Sequence, residues 1–94
     1  MPLTIKFIGA LRQISGKTQL TVRYQKGISL KYLISTLSRD MPGLNKVLGD
    51  QQFGDARSNA LVLVNGREIS VLNGFETKLD DGDEVVFVPV VHGG

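Results

Sequence analysis

The sequence predicts an α+β domain in which a four- to five-stranded sheet carries one main helix on one face, in the order β-β-α-β-β-β. Three observations predict it. Apolar and polar residues alternate near both ends of the chain, as they do in half-buried strands. One stretch, Leu30, Leu33, Ile34 and Leu37, switches to the i, i+3, i+4, i+7 spacing of an amphipathic helix. Three turn pairs, Asn65-Gly66, Asn73-Gly74 and Asp81-Gly82, punctuate the C-terminal half, and such pairs suit turns that need positive φ. A single helix covers only one face of a sheet of this size.

Each element follows in order. Residues 3–8 form the first strand, with Leu3, Ile5 and Phe7 on one face and Thr4, Lys6 and Ile8 on the other. A turn at Ser15-Gly16-Lys17 leads to a second strand, where Leu20, Val22 and Tyr24 alternate with Thr21 and Arg23; the two make an N-terminal hairpin. The helix spans 29–41, with Ser29 placed to accept an orphan backbone N–H at its start and Pro42-Gly43 to end it. Residues 44–59 form a long connection in which Leu48 and Phe53 are expected to be anchors. Strands follow at 60–64, 67–71 and 84–88, the first two joined by Asn65-Gly66.

With this register the helix lies over Ile5, Phe7, Val62, Val64, Val85 and Phe87. The outer face then carries Ile8, Leu61, Leu63, Val86 and Val88, which is more apolar than a solvated face requires. A contiguous apolar patch of this kind marks a partner surface. Tyr24 and Tyr32 read as partly buried packing residues.

Ninety-four residues suffice for one domain with one core. There is no cysteine, hence no disulfide framework, thiolate metal site or cysteine nucleophile on this chain. No apolar run approaches the ~18 residues of a membrane helix, and the start lacks a signal peptide's basic and apolar regions. A cytoplasmic protein is expected. The net charge is +2, and the basic residues are spread singly; a nucleic-acid track would cluster them. Neither nucleic acid nor membrane is an expected partner.

The chain ends Pro89-Val90-Val91-His92-Gly93-Gly94. Proline cannot join a helix or a central strand ladder, so Pro89 is expected to mark where the chain leaves the body, with a body at 1–88 and a flexible tail at 89–94. Two glycines leave the terminal carboxylate unencumbered, able to enter a narrow channel. The reactive group is expected to be the last carbonyl, that of Gly94. The body offers no clustered acid, base and nucleophile, and no phosphate-binding G-x-x-x-x-G-K-[ST] loop. His92, the only histidine, lies in the tail, where a rigid triad has no support. Asp80, Asp81, Asp83 and Glu84 do not match the spacing of a calcium loop and read as an acidic turn. The protein is therefore expected to have no catalytic site or metal of its own.

The segment from Phe7 to Gly16, the run Val62-Leu63-Val64-Asn65-Gly66, and the closing Gly82-Asp83-Glu84-Val85, Pro89 and Gly93-Gly94 resemble the MoaD/ThiS family of ubiquitin-like sulfur carriers, over nearly the whole chain. The family's MoaD members end with a second proline and a small residue before the glycines; Val90 and His92 stand there instead. The His-Gly-Gly ending and the long 44–59 connection are more similar to ubiquitin-related modifier and archaeal members. The resemblance implies a β-grasp fold with a mixed sheet. It implies that an E1-like adenylating enzyme, holding ATP and magnesium, activates Gly94, and that sulfur from a persulfide elsewhere converts it to a thiocarboxylate. Gly93 accompanies Gly94 in the reactive end, and no cofactor is bound by this chain. Ile8, Arg12, Leu63, Val86, Val88, Val91 and His92 are the expected partner contacts. The first expected role is that of molybdopterin synthase small subunit, with the large subunit as partner. The alternatives are conjugation to target-protein lysines, as in a small archaeal modifier, or sulfur donation for tRNA thiolation.

Overall fold

A computed structural model of the chain describes residues 1–44 and 60–89. They build one five-stranded mixed sheet with helices packed on it, in the order β1 (Leu3–Phe7), α1 (Leu11–Ser15), β2 (Gln19–Val22), α2 (Leu30–Asp40), β3 (Ala60–Val64), β4 (Arg67–Glu68) and β5 (Glu84–Pro89); residues 42–44, just after α2, are helical again. The strand order is β2-β1-β5-β3-β4. β1 and β5 run parallel, with Phe7 beside Phe87, while the other pairings are antiparallel. The last strand is thus inserted between the first and the third. No helix among the described residues is long and apolar enough to cross a membrane.

The alternation expected from the sequence sets the faces. Leu3, Ile5 and Phe7 of β1, Val62 and Val64 of β3, and Val85 and Phe87 of β5 are buried. They meet Leu30, Leu33, Ile34 and Leu37 of α2 in one core. The rings of Phe7 and Phe87 stack with centroids 5.8 Å apart and planes inclined by 18°. α2 begins where the Ser29 hydroxyl accepts the Tyr32 N–H at 3.2 Å, satisfying one of the donors that a helix start leaves open. The Leu30 N–H is taken by the Thr77 carbonyl at 2.8 Å, and the Leu79 N–H by the Ile28 carbonyl at 2.9 Å. These two bonds lash the helix start to the C-terminal half. Tyr32 departs from expectation: it is 56% exposed, because position 32 lies off the 30/33/34/37 stripe. Tyr24 packs against the core as expected.

Four further differences have physical reasons. First, α1 interrupts the expected direct turn between β1 and β2. Leu11 is buried at its start, and Gly16 ends it with φ 74°, its N–H bound to the Arg12 carbonyl. Five residues are too few for periodicity to reveal. Second, β4 covers only two of the expected five positions. The Glu68 carboxylate accepts the Ser70 N–H at 2.8 Å and so caps a 3₁₀ turn, Ile69–Val71, that tucks Ile69 into the core. Third, Gly74 opens a second 3₁₀ turn, Gly74–Glu76, closed by the buried Thr77 hydroxyl on the Gly74 carbonyl at 2.6 Å. Fourth, β5 runs through Pro89, one position past the expected body, and Pro89 pairs with Ala60. The direction in which the missing N–H would point explains why this is tolerated. The Phe87 carbonyl accepts the Ile8 N–H at 3.0 Å, so the backbone at Phe87 faces β1. Two residues on, the Pro89 nitrogen faces the same way, beyond the end of β1, where no ladder bond is available to lose. The expected anchors Leu48 and Phe53 lie outside the described residues.

Candidate functional site

The expected reactive end, Gly93 and Gly94, and the expected contacts Val91 and His92 lie outside the described residues. What the structure places is the root from which they follow and the surface around it. The root is the end of the central strand. Gly9 turns the chain away from β1 with φ 59°, and a Cβ there would come within 3.2 Å of the Pro89 Cγ. Glycine is needed at this position for its conformation and for its closeness to the proline. Beside it, the Arg12 Nε donates to the Phe7 carbonyl at 3.2 Å. That bond fixes the stem of an otherwise exposed arginine at the end of β1, next to Ile8, and leaves the rest of its guanidinium to solvent.

The sheet face turned away from α2 grades from polar to apolar. At one end Gln19 and Thr21 of β2 lie opposite Lys6 and Thr4, and the Lys6 ammonium reaches the Glu84 carboxylate at 3.0 Å. That pair is largely exposed, so it adds little stability; it keeps this part of the face charged. Across β5 and β3 the face becomes apolar, with Leu63 opposite Val86 and Leu61 opposite Val88. Ile8 follows on from β1 at the same end of the face as Val88 and is 37% exposed. The structure therefore brings together Ile8, Leu63, Val86 and Val88, and places Arg12 at the end of β1, bonded to the residue before Ile8. Leu61, 43% exposed, lies on the same face, where the alternation places it, although it is not singled out there as a contact. Its alternation with buried Ala60 and Val62 was the available signal.

The acidic turn before β5 is occupied internally. The Asp83 carboxylate accepts from the Asn65 amide at 2.8 Å and from the Asp80 N–H at 2.7 Å, while the Asn65 side-chain oxygen accepts the Glu84 N–H at 3.0 Å. Asp81 meets the amine of Met1, and Glu84 meets Lys6. No group of three or more His, Asp or Glu side chains with metal-binding geometry occurs among the described residues. The turn's carboxylates act as braces: they lock the Asn65-Gly66 hairpin to the start of β5 and so fix the direction of the strand that ends at Pro89.

A mixed sheet packed on one main helix, with β5 at its centre and an apolar face beside it, is the body of a ubiquitin-like carrier or modifier. The chain belongs to the ThiS family, whose model matches residues 5–94. It is 32% identical over its full length to small archaeal modifier protein 3 of Haloferax volcanii, covering 100% of that protein. Among solved structures, a Haloferax volcanii protein determined in solution superposes with a TM-score of 0.81 at 32% identity, covering 100% of this chain and 87% of that one. Ubiquitin-related modifier 1 of Trypanosoma brucei superposes at 0.79 with 29% identity, covering 99% and 95%. The fold is the ubiquitin-like β-grasp.

Proposed function

We propose that the protein carries an activated acyl group on Gly94, and that it is loaded by an E1-like adenylating enzyme. The observation that supports this most is family membership across residues 5–94, which includes the Gly93-Gly94 end. In the first step a carboxylate oxygen of Gly94 bonds to the α-phosphorus of ATP held by the partner, and pyrophosphate leaves. In the second, the outer sulfur of a partner persulfide bonds to the acyl carbon and AMP leaves. A thiol of the partner then cleaves the resulting acyl disulfide and frees a thiocarboxylate on this chain. ATP, magnesium and sulfur all belong to the partner. This chain contributes the carboxylate, a tail root fixed at Gly9 and Pro89, and the face of Ile8, Leu61, Leu63, Val86 and Val88, with Arg12 at the end of β1. Binding on that face offsets the cost of ordering the tail, about 1–2 kcal/mol per residue.

The acceptor first expected is molybdopterin, with this chain as synthase small subunit beside a large subunit. A second reading has a specific support: full-length likeness to a small archaeal modifier and to a ubiquitin-related modifier. On that reading Gly94 is joined to lysines of target proteins or gives its sulfur to tRNA. Intact mass of the protein isolated from its own cells tests both. Replacement of one oxygen by sulfur supports the carrier, and conjugates bearing a Gly-Gly remnant on lysine support the modifier. Absence of both species in a cell where the protein is active would overturn both readings.

A further inference from the structure

We infer that the free edge of β2 is a docking strand for an extended acidic peptide of a partner protein. This site lies at the opposite end of the sheet from the apolar face and does not depend on the chemistry of Gly94. β2 is an outer strand. The Phe7 N–H donates to the Thr18 carbonyl, and Ile5 and Leu3 pair with Leu20 and Val22; an antiparallel ladder alternates, so Thr18, Leu20 and Val22 direct their backbone groups to β1. Gln19 and Thr21 direct theirs outward. No backbone or side-chain group among the described residues meets them, and both residues are exposed. A strand added here would find four open donors and acceptors. It would also find the half-buried row of Leu20, Val22 and Tyr24 on one side. At the Tyr24 end of the strand lies a groove of about 500 Å³ lined by Met1, Pro2, Thr21, Arg23, Tyr24 and Asp81.

Charge identifies the occupant. Residues 1–39 hold seven basic residues and no acidic one, while residues 40–94 hold four basic and nine acidic; +7 and −5 make up the net +2. Lys17, Arg23 and Lys26 flank the open edge, and none of them is in an ion pair among the described residues. The one carboxylate in the groove, Asp81, is taken by the Met1 amine. Strand addition gives affinity through main-chain bonds and selectivity through alternate side chains; cations at the rim select acidic ones. An open backbone edge favours a peptide over a polyanion without one.

The test is titration of the ¹⁵N-labelled full chain with a synthetic peptide of alternating valine and glutamate. A valine–lysine counterpart and a single-stranded RNA oligonucleotide are run beside it. The expected result is that the Gln19 and Thr21 amide signals shift and their hydrogen exchange slows with the acidic peptide alone. Thr21→Pro, which removes an outward N–H on an edge strand without touching the sheet's own ladder, should abolish the response while the rest of the spectrum stays folded. Arg23→Glu with Lys26→Glu should weaken binding about tenfold at low salt and less at high salt. The proposal is overturned if those two amides do not respond, or if the lysine peptide or the RNA acts equally. It is also overturned if the same shifts appear with protein concentration alone, which would make the edge a contact between copies.

Discussion

Gly9 carries two demands at once, and they are separable. Its φ of 59° costs an alanine about 1–2 kcal/mol, and the added Cβ would also press on Pro89. Gly66 shares only the first demand, since its φ is 83° and nothing lies within 4 Å of a Cβ there. Gly9→Ala should therefore lose more stability in urea unfolding than Gly66→Ala, and only Gly9→Ala should slow loading of Gly94 by displacing the tail's root. Equal losses would mean that the contact with Pro89 has no weight. Asn65 poses a similar choice. It sits at φ 52° and its amide braces Asp83 and Glu84. Asn65→Gly keeps the turn but loses the brace, so it should cost about 1 kcal/mol; Asn65→Ala should cost more, because strain is added.

At the scale of the element, the two faces of β3 and β5 have different jobs. Phe87 lies in the core against Phe7, and Phe87→Ala should lose about 3–5 kcal/mol by leaving a cavity. Leu61 is on the other face, and Leu61→Glu should change stability by less than about 0.5 kcal/mol. If the outer face docks the adenylating partner, the same Leu61→Glu should lower the rate of adenylate formation at least tenfold at sub-saturating protein, an effect of about 1.4 kcal/mol or more. Pyrophosphate release reports it. Normal loading of Leu61→Glu would remove the outer face from the functional site. Ser29→Ala, which deletes the cap of α2, should cost about 1 kcal/mol without any change in loading.

On the proposed function, the whole molecule separates a stable body from a reactive end. Gly94→Ile should leave the thermal midpoint within a degree or two, since surface and terminal changes act weakly on stability, and should abolish adenylation, because a side chain obstructs a narrow channel. Adenylation of Gly94→Ile at the ordinary rate would refute the argument for bare glycine. The molecule is also divided by charge. The single spacing of the basic residues disguised this in the sequence, for what matters is that every acidic residue comes at or after Asp40.

Much of this was legible from spacing alone. Alternation in residues 3–7 and 60–64, the helical stripe from Leu30, the Ser29 cap and the Asn65-Gly66 turn are local physics, and each formed where its residues require. The outer apolar face followed because a strand's period is two and one helix covers one side. Local pattern could not place β5 between β1 and β3, and it was that placement which brought Ile8 and Val88 to one end of the face and allowed Pro89 a strand position. Nor could it show α1, the shortening of β4 by the Glu68 cap, or the open edge of β2. Those features arise from which strands become neighbours, and the neighbours are chosen by burial of the whole core at once. The sequence alone determined the elements, their faces and a glycine end suited to acyl chemistry; tertiary structure decided where the final strand points and what lies beside it, because pairing between distant segments is settled only when all of them pack together.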